Sequence, residues 1–395
     1  MNIDDTVDVD ESIVVNLNGT RLQTLFEHFR KRKLILIIVL IILIVAIIAI
    51  PTIIVTVNKG KGEKTSTIQI STVEIITTTA ETTATEELIP SVVINENTKW
   101  KQSAITVAGG NGQGNQLNQL SRPLGIYVDD DSESIYIADI GNDRVVRWKF
   151  GEGIGEIVAD EKGQDSNINQ FNQAVDIILD KEKKSVIICD PSYIQVVQWS
   201  LQNSQDKQIL ISDITCWGLA MDSNRNLYIP DWERHQVRRW QQGDKEGTIV
   251  AGGNGQGNHL NQLNEPHYIF ADKNHSIYVA DYLNNRVMKW MKNATEGICV
   301  APGEASSENP NSLIRPMGVI VDDVGNIYVS SEISHQITRW SPGAIEGVPV
   351  IGEKQSGNRS TQLFNPRDLS FDRQGNLYVV DRLNHRIQKF VIDRD

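Results

Sequence analysis

The sequence predicts an all-β fold: a six-bladed β-propeller with four-stranded blades, preceded by one transmembrane helix. The main observation is an internal repeat that occurs six times in about the last three quarters of the chain, at steps of 41 to 51 residues. Repeats of this length that hold several short strands are typical of propeller blades, because one blade cannot bury both of its faces alone. The second observation is an uncharged apolar segment near the N-terminus. The repeated acidic position is occupied by Asp139, Asp190, Asp231, Asp281 and Asp381, with Ser331 in the fifth repeat, and the closing aromatic position by Trp148, Trp199, Trp240, Trp290, Trp340 and Phe390.

Each repeat contains the pattern of four short strands. Two apolar runs are joined by a tight turn, and pairs such as Gly325-Asn326 tolerate the positive φ that such turns need. The third strand alternates Val, Ile and Trp with Arg, Lys and Gln, which is the period of a half-exposed strand. A short fourth strand completes the unit. Because the first strand is apolar on both sides, we expect it to lie nearest the central axis.

The last repeat ends after its third strand, and the segment that would complete it lies before the first repeat. Residues 105–110 read ITVAGG and match TIVAGG at 248–253 almost letter for letter. We therefore expect the N-terminal strand 105–108 to fill the last blade and close the ring, which removes two exposed sheet edges. The propeller is predicted to span residues 100–395.

The repeat pattern D-x-x-N-H-R-[IV]-Q-[KR]-[WF], intact at Asp381–Phe390, resembles the NHL repeat. The fourth repeat, with Asp281 and Arg286, comes close to this pattern. The second repeat lacks both the Asn and the Arg and is assigned by its spacing and by Trp199. The resemblance extends over about three quarters of the chain and implies a six-bladed propeller of the NHL type.

The apolar segment Leu34–Val57 is long enough to cross a bilayer, which takes about 20 residues. Its 33-residue leading tail and the lack of a following A-x-A site favour an uncleaved signal anchor over a cleaved signal peptide. The basic cluster Arg30–Lys33 favours a cytoplasmic N-terminus, although three lysines at 59, 61 and 64 reduce the charge asymmetry. The predicted plan is a cytoplasmic tail (1–33), a signal-anchor helix (34–57), a disordered Thr-rich stalk (58–99) and the propeller (100–395).

This plan predicts a single-pass type II membrane protein whose propeller is extracellular or lumenal, with the plasma membrane as its expected location. The Thr-rich residues 65–87 resemble an O-glycosylated stalk. Three sequons for N-glycosylation in the propeller, at Asn274, Asn293 and Asn358, are compatible with this topology.

Charge and cysteine content narrow the classes of partner. Residues 34–395 carry 11 more acidic than basic side chains, whereas nucleic-acid binding requires a basic surface, so we expect no nucleic-acid partner. Cys189, Cys216 and Cys299 are odd in number and too few for a disulfide framework. Cys189 and Cys216 are placed so that they could approach each other, but the favoured prediction is buried free thiols.

Two near-duplicate loops, 109–123 and 252–266, are predicted to lie on the same face of the propeller. Their Asn and Gln side chains offer donors and acceptors to a polar partner such as a peptide backbone or a sugar. The favoured alternative is a solvated crossing between blades, because loops lie at the surface by default. The candidate interaction residues are Asn111, Gln113, Asn115, Asn254, Gln256 and Asn258.

Regular features of the repeat favour a structural role. The Asp and Arg of the motif, as in Asp381 with Arg386, are predicted to form charge-assisted pairs that fix each blade corner. Histidines recur at one motif position and receive the same interpretation, and the closing tryptophans are expected to pack at the rim. These histidines are His235, His335 and His385.

Six residues depart from the repeat where the inner strands reach the mouth of the central channel. They are candidates for binding a cation or an anionic ligand. The favoured alternative is an ion pair of Arg367 with Asp176 or Asp368, because ion-pair networks also gather charge without function. The six residues are Asp176, Trp217, His267, Tyr268, Arg367 and Asp368.

These observations predict an extracellular, membrane-anchored propeller that acts as a protein- or glycan-binding or adhesion module, without catalytic residues, cofactor or metal. The first alternative is an extracellular metal-dependent enzyme similar to peptidyl-hydroxyglycine amidating lyases or lactonase-type hydrolases. A zinc enzyme generally needs three protein ligands, and only His267 is suitably placed. A calcium site would rely on Asp176 and Asp368. The second alternative, a cytosolic-facing RNA or ubiquitin-pathway scaffold, conflicts with the acidic charge and the lack of RING-like Cys/His spacing.

Overall fold

Six four-stranded antiparallel sheets and one two-stranded pair make up the part of the chain that the structure describes. The structure is a computed structural model, and it describes residues 94–160, 171–203, 206–303 and 313–394. The predicted tail (1–33), signal-anchor helix (34–57) and residues 58–93 of the stalk lie outside these ranges. Within these ranges, no helix is both long enough and apolar enough to span a membrane. The six sheets confirm the predicted six-bladed propeller.

The strands of the first three blades follow the predicted order, from the channel to the rim. The first two strands of the described residues are β1 (Lys99–Trp100) and β2 (Ile105–Gly109). Blade 1 consists of β3 (Ile126–Asp129), β4 (Ser134–Asp139), β5 (Arg144–Lys149) and β6 (Glu156–Asp160). Blade 2 consists of β7 (Asp176–Asp180), β8 (Ser185–Asp190), β9 (Gln195–Ser200) and β10 (Lys207–Ser212). Blade 3 consists of β11 (Ala220–Met221), β12 (Leu227–Asp231), β13 (Gln236–Trp240) and β14 (Thr248–Gly252).

The last three blades repeat this order. Blade 4 consists of β15 (Pro266–Ala271), β16 (Ile277–Asp281), β17 (Arg286–Trp290) and β18 (Ile298–Ala301). Blade 5 consists of β19 (Pro316–Val321), β20 (Ile327–Ser331), β21 (Ile337–Trp340) and β22 (Val348–Ile351). Blade 6 contains β23 (Pro366–Phe371), β24 (Leu377–Asp381) and β25 (Arg386–Phe390), followed by β26 (Ile392–Asp393). Short 3₁₀ turns link the second and third strands of blades 1, 4 and 6 at Ile140–Asn142, Tyr282–Asn284 and Arg382–Asn384.

The hydrophobic core is divided into six layers, each between two neighbouring blades. Tyr136 of blade 1 packs with Val186 of blade 2, and Tyr378 of blade 6 packs with Ile135 of blade 1. Burial of both faces of a blade therefore requires its neighbours, as the repeat predicts. The closing aromatics are buried within this core, which confirms the predicted packing role: Trp148, Trp199, Trp240, Trp290, Trp340 and Phe390.

The ring is closed as predicted, because β2 is the fourth strand of blade 6. Ile105 pairs with Lys389 and Gly109 with Arg386 in an antiparallel register. A second pairing, of β1 with β26, was not predicted. Packing against the propeller already begins at Ile94, ahead of the predicted start at residue 100.

The prediction of three free thiols is wrong for two of them, since Cys189 and Cys216 form a disulfide. Cys189 lies on β8, and Cys216 lies just before the inner strand of blade 3, with 5.8 Å between the two Cα atoms. Both residues are fully buried, so the bond ties blade 2 to blade 3 inside the core layer between them. Cys299 lies on β18 and is exposed. The odd cysteine count concealed the pair, because sequence spacing does not show that neighbouring blades bring the two residues together.

The predicted Asp–Arg pairs are confirmed in blades 1, 4 and 6. In blade 6, Arg386 Nε lies 2.7 Å from Asp381 Oδ2, and the guanidinium also donates to the backbone carbonyls of Asn358 and Arg359. The second carboxylate oxygen of Asp381 accepts the N–H of Phe364. The pair therefore fastens the loop that enters the blade. The corresponding pairs elsewhere are Arg144–Asp139 and Arg286–Asp281.

The recurring histidines also have the structural role that was predicted. His385 adopts a left-handed backbone conformation with φ 54°, and its Nδ1 accepts the backbone N–H of Arg122. His235 and His335 make the same bond to Glu265 and Asn365. Each histidine thus joins the corner of one blade to the loop that enters the next.

Candidate functional site

A row of polar and aromatic side chains crosses the channel mouth from blade 3 to blade 6. They occupy two kinds of position: one at the start of the inner strand or shortly before it, and one directly after the repeated acidic position. We call the set the mouth cluster. It consists of Trp217 and Trp232 in blade 3, His267 and Tyr282 in blade 4, Glu332 in blade 5, and Arg367 and Arg382 in blade 6.

The half of the mouth cluster on blades 3 and 4 is aromatic. The imidazole of His267 stacks between the rings of Trp217 and Tyr282, with centroid distances of 4.5 and 4.1 Å. Trp232 meets Trp217 edge to face at 6.5 Å. Burial, with a smaller effect from the positive charge of Arg367, lowers the pKa of His267 to about 3. His267 is therefore neutral at physiological pH.

The half on blades 5 and 6 is charged and continues directly from the aromatic half. Tyr282 donates a hydrogen bond from its hydroxyl to Glu332 Oε2 at 2.6 Å. Arg367 Nη2 lies 2.9 Å from Glu332 Oε1, and Arg367 Nε donates to Asn365 Oδ1. Partial burial opposes ionisation of Glu332, but the hydrogen bond from Tyr282 and the charge of Arg367 hold its pKa below the ordinary value.

The predicted ion pair of Arg367 with Asp176 or Asp368 is wrong, because the partner is Glu332 on the neighbouring blade. Asp176 and Asp368 instead point at backbone groups. Asp368 Oδ2 accepts the N–H of Ile126 at 3.0 Å, and Asp176 Oδ2 accepts the N–H of Leu219 at 2.7 Å. Each carboxylate thus joins the inner end of one blade to the next, from blade 6 to blade 1 and from blade 2 to blade 3.

The two channel carboxyls are buried and influence each other. Burial raises the pKa of Asp368 to about 7. Burial and the nearby negative charge of Asp368 raise the pKa of Asp176 well above its ordinary value. Each also accepts the N–H of the residue that follows it, Ile177 or Leu369. Desolvation of the charged form is the physical cause of both shifts.

Large and small residues alternate around the channel at this level. Blades 2, 4 and 6 contribute Asp176, Tyr268 and Asp368, whereas blades 1, 3 and 5 contribute glycine. A Cβ atom on Gly125 would lie 2.4 Å from Asp176 Oδ1, and one on Gly318 would lie 2.5 Å from the carbonyl oxygen of Arg367. Only glycine leaves room for the larger neighbour at these two positions.

The Asn and Gln side chains predicted to face a partner mostly brace their own loops. Asn111 Nδ2 donates to the carbonyl of Asn118, and Gln113 Nε2 donates to Ser121 Oγ. Asn254 and Gln256 make equivalent bonds to Asn261 and Asn264. The backbone carbonyls of Asn115 and Asn258 accept from Arg144 and Arg286. A third loop of the same build at 352–366 was missed, although Gly357-Asn358 and Gln362-Leu363 repeat its landmarks.

All three predicted sequons carry an exposed asparagine: Asn274, Asn293 and Asn358. Asn293 lies on the wall of a groove of about 630 Å³ between the outer parts of blades 3 and 4. Tyr228, Arg239 and Trp290 also line this groove, which lies away from the mouth cluster.

Four members of the mouth cluster were missed by the sequence analysis: Trp232, Tyr282, Glu332 and Arg382. Each directly follows the repeated acidic position, where blades 1 and 2 have Ile140 and Pro191. The residue after the acidic position therefore varies between blades as much as the position of Trp217 does. This variation could have identified the four residues from the sequence.

Within 94–160, 171–203, 206–303 and 313–394, no three His, Cys, Asp or Glu side chains converge as metal ligands would. His267 is enclosed by two aromatic rings, and its Nδ1 lies 3.3 Å from Met317 Sδ.

Comparison with known proteins supports the fold. The NHL repeat profile matches residues 365–390. No curated protein matches the chain. A structural genomics protein of unknown function from Bacteroides thetaiotaomicron has a TM-score of 0.58 at 17% identity, covering 73% of this chain and 76% of that one. An auxiliary nutrient binding protein from the same organism has a TM-score of 0.57 at 14% identity, covering 74% and 76%.

A third similar structure is a gluconolactonase from Xanthomonas campestris, with a TM-score of 0.50 at 12% identity, covering 70% of this chain and 89% of that one.

At identities below 20%, these likenesses show the fold alone. The chain therefore has a six-bladed propeller fold with an NHL repeat in its last blade.

Proposed function

We propose that this chain is a membrane-anchored binding protein whose extracellular propeller holds a protein or glycan partner at the channel mouth. The observation that carries the proposal is the continuous row from Trp217 through His267 and Tyr282 to Glu332 and Arg367. These side chains replace apolar residues of the other blades, and several remain partly exposed. Aromatic and Arg side chains grouped in this way are typical of binding hot spots.

The disulfide supports a propeller outside the cytosol. Disulfides persist in oxidising compartments and are rare where glutathione keeps thiols reduced. The Cys189–Cys216 bond and the exposed asparagines of the three sequons both agree with the predicted type II topology. The same observations, with the acidic charge of the chain, disfavour the cytosolic RNA or ubiquitin-pathway alternative.

Binding is favoured over catalysis by the contacts of the titratable groups. His267 is enclosed by two aromatic rings, and Asp176 and Asp368 each accept hydrogen bonds from backbone N–H groups. The metal-dependent alternative is tested by metal analysis of the purified full-length protein. Stoichiometric zinc or calcium that survives dialysis would favour the enzyme.

The binding proposal is tested with the full chain expressed on intact cells. Protease added outside should release a propeller fragment, and a glycosidase should shift its mobility. The cells are then probed with glycan and protein libraries, using Trp217→Ala against the control Arg373→Ala on the far hairpin of blade 6. Arg373 is 61% exposed, so its loss should not affect a partner at the mouth. Partners that bind both variants equally would contradict the proposal, as would a propeller that external protease cannot reach.

A further inference from the structure

Two arginines at the mouth have no carboxylate partner among the described residues. Arg382 makes only a long hydrogen bond of 3.5 Å to Asn365 Oδ1, and the side chain of Arg122 is exposed beside it. Their neighbour Arg367 is also cationic, and it is already paired with Glu332. The blade 6 to blade 1 side of the mouth therefore has an excess of positive charge.

This excess of positive charge acts on Arg382 together with burial. Burial, then the charges of Arg367 and Arg122, lower the pKa of Arg382 from its ordinary value. An anion placed between these guanidinium groups would relieve the repulsion. The chain as a whole carries more acidic than basic residues, so this group of arginines contrasts with its net charge.

Unsatisfied donors give an independent indication of a ligand. Trp217 Nε1, Trp232 Nε1, Arg382 Nε and the hydroxyl of Tyr268 are buried without a protein hydrogen-bond partner among the described residues. Tyr268 is only 2% exposed. Buried polar groups are normally paired, so donors without acceptors point to an oxygen-rich ligand or to ordered water.

We propose that the mouth binds an acidic saccharide, with its carboxylate held by Arg122 and Arg382 and its ring placed along the edge of the stack that Trp217, His267 and Tyr282 form. This inference rests on the proposed binding function and names its ligand class. Guanidinium groups bind carboxylates through paired hydrogen bonds. The edge of this aromatic stack offers apolar contact to a sugar ring, and ordered water can link the sugar hydroxyls to the buried unsatisfied donors. An extended acidic peptide would need a longer basic stripe than blades 6 and 1 provide.

The test measures binding of a galacturonic acid tetramer to the detergent-solubilised full-length protein. Its methyl ester has the same rings without the charge and should bind at least tenfold more weakly. Arg122→Gln and Arg382→Gln should each weaken binding of the acid tetramer at least tenfold. Arg382→Lys should restore part of the lost affinity. The control is Arg359→Gln, whose side chain is 66% exposed and pairs with Glu353. It should bind as the wild type does.

Three results would overturn the inference. Equal binding of the methyl ester would show that the carboxylate is not recognised, and tighter binding of a tetraglutamate peptide would favour a peptide ligand. Displacement of the tetramer by equimolar inorganic sulfate would reduce the site to a general anion site. The acid tetramer could fail to bind while Trp217→Ala still abolishes binding of a partner found on cells. In that case only the ligand class is wrong, and the binding function stands.

Discussion

The indole Nε1 of Trp100 donates a hydrogen bond to the carbonyl oxygen of Gly375 at 2.9 Å, across 275 residues of sequence. The same ring packs edge to face on Tyr328 and stacks on Phe371, so it fills the space between blades 5 and 6. The ring closure therefore includes a buried anchor in addition to the strand β2.

Replacing Trp100 with Ala should destabilise the propeller by about 3 to 5 kcal/mol, because it empties a fully buried aromatic site and removes one hydrogen bond. Trp100 is 2% exposed. Denaturant unfolding measures the loss. The matched control is Ile105→Ala in the same closing segment, where the side chain is 55% exposed and should contribute less than about 1 kcal/mol. Equal losses would contradict the anchoring role of Trp100.

The closing strand could be predicted, but its anchor could not. Residues 105–110 duplicate 248–253, so the repeat itself assigns them to a blade. The pair Lys99–Trp100 is two residues long and has no counterpart in the repeat. The repeat pattern shows only the features that the units share. Trp100 has no equivalent in the other units, so the pattern could not predict its role.

The same limit applies to the site. Asp176, Tyr268 and Asp368 stood out because they replace glycine in alternate blades. The contact partners of the site residues did not stand out, because the repeat does not show the direction in which a side chain points. Arg367 of blade 6 reaches Glu332 of blade 5, and Cys189 of blade 2 reaches Cys216 at the start of blade 3. Contacts between blades can therefore be identified only from the three-dimensional arrangement of the blades.

Removing the disulfide with the double variant Cys189→Ala/Cys216→Ala should lower the free energy of unfolding by about 2 to 4 kcal/mol, because the unfolded chain regains the freedom of a closed loop. The two residues are separated by 27 positions. Peptide mapping without reduction should recover them as one linked peptide. Cys299→Ala serves as the control, since that residue is exposed and should change stability by less than about 0.5 kcal/mol. Separate, unlinked peptides would contradict the bond.

Arg367→Ala should cost about 2 to 3 kcal/mol of stability, between the values for exposed and fully buried ion pairs. Its side chain is 7% exposed and lies 2.9 Å from Glu332. Arg315 provides a matched control on the same carboxylate, because it is 48% exposed and 3.7 Å away. Arg315→Ala should cost less than about 1 kcal/mol by thermal unfolding. A larger loss for Arg315 than for Arg367 would contradict the assigned pairing.

The channel carboxyl of Asp368 should make the propeller less stable as the pH rises from about 4 to 7. Its pKa is raised from 3.8 to about 7 by burial, so in this window the folded chain binds more protons than the unfolded chain. Stability falls with pH wherever the folded state holds the extra proton. Each pKa unit corresponds to about 1.4 kcal/mol, which gives an effect on the order of a few kcal/mol.

The variant Asp368→Asn isolates this effect, because the amide resembles the protonated acid and keeps an acceptor for Ile126. Its stability relative to the wild type should rise as the pH goes from 4 to 7, measured by denaturant unfolding at each pH. Asp222→Asn should show almost no slope between about pH 5 and 7 and should gain stability relative to the wild type as the pH falls below about 4. Burial alone would raise the pKa of Asp222, but hydrogen bonds from Asn226, His275 and Tyr228 lower it, so its contribution is present above the unfolded pKa and lost in acid. Parallel slopes for the two variants would contradict the assignment of a protonated carboxyl to the channel.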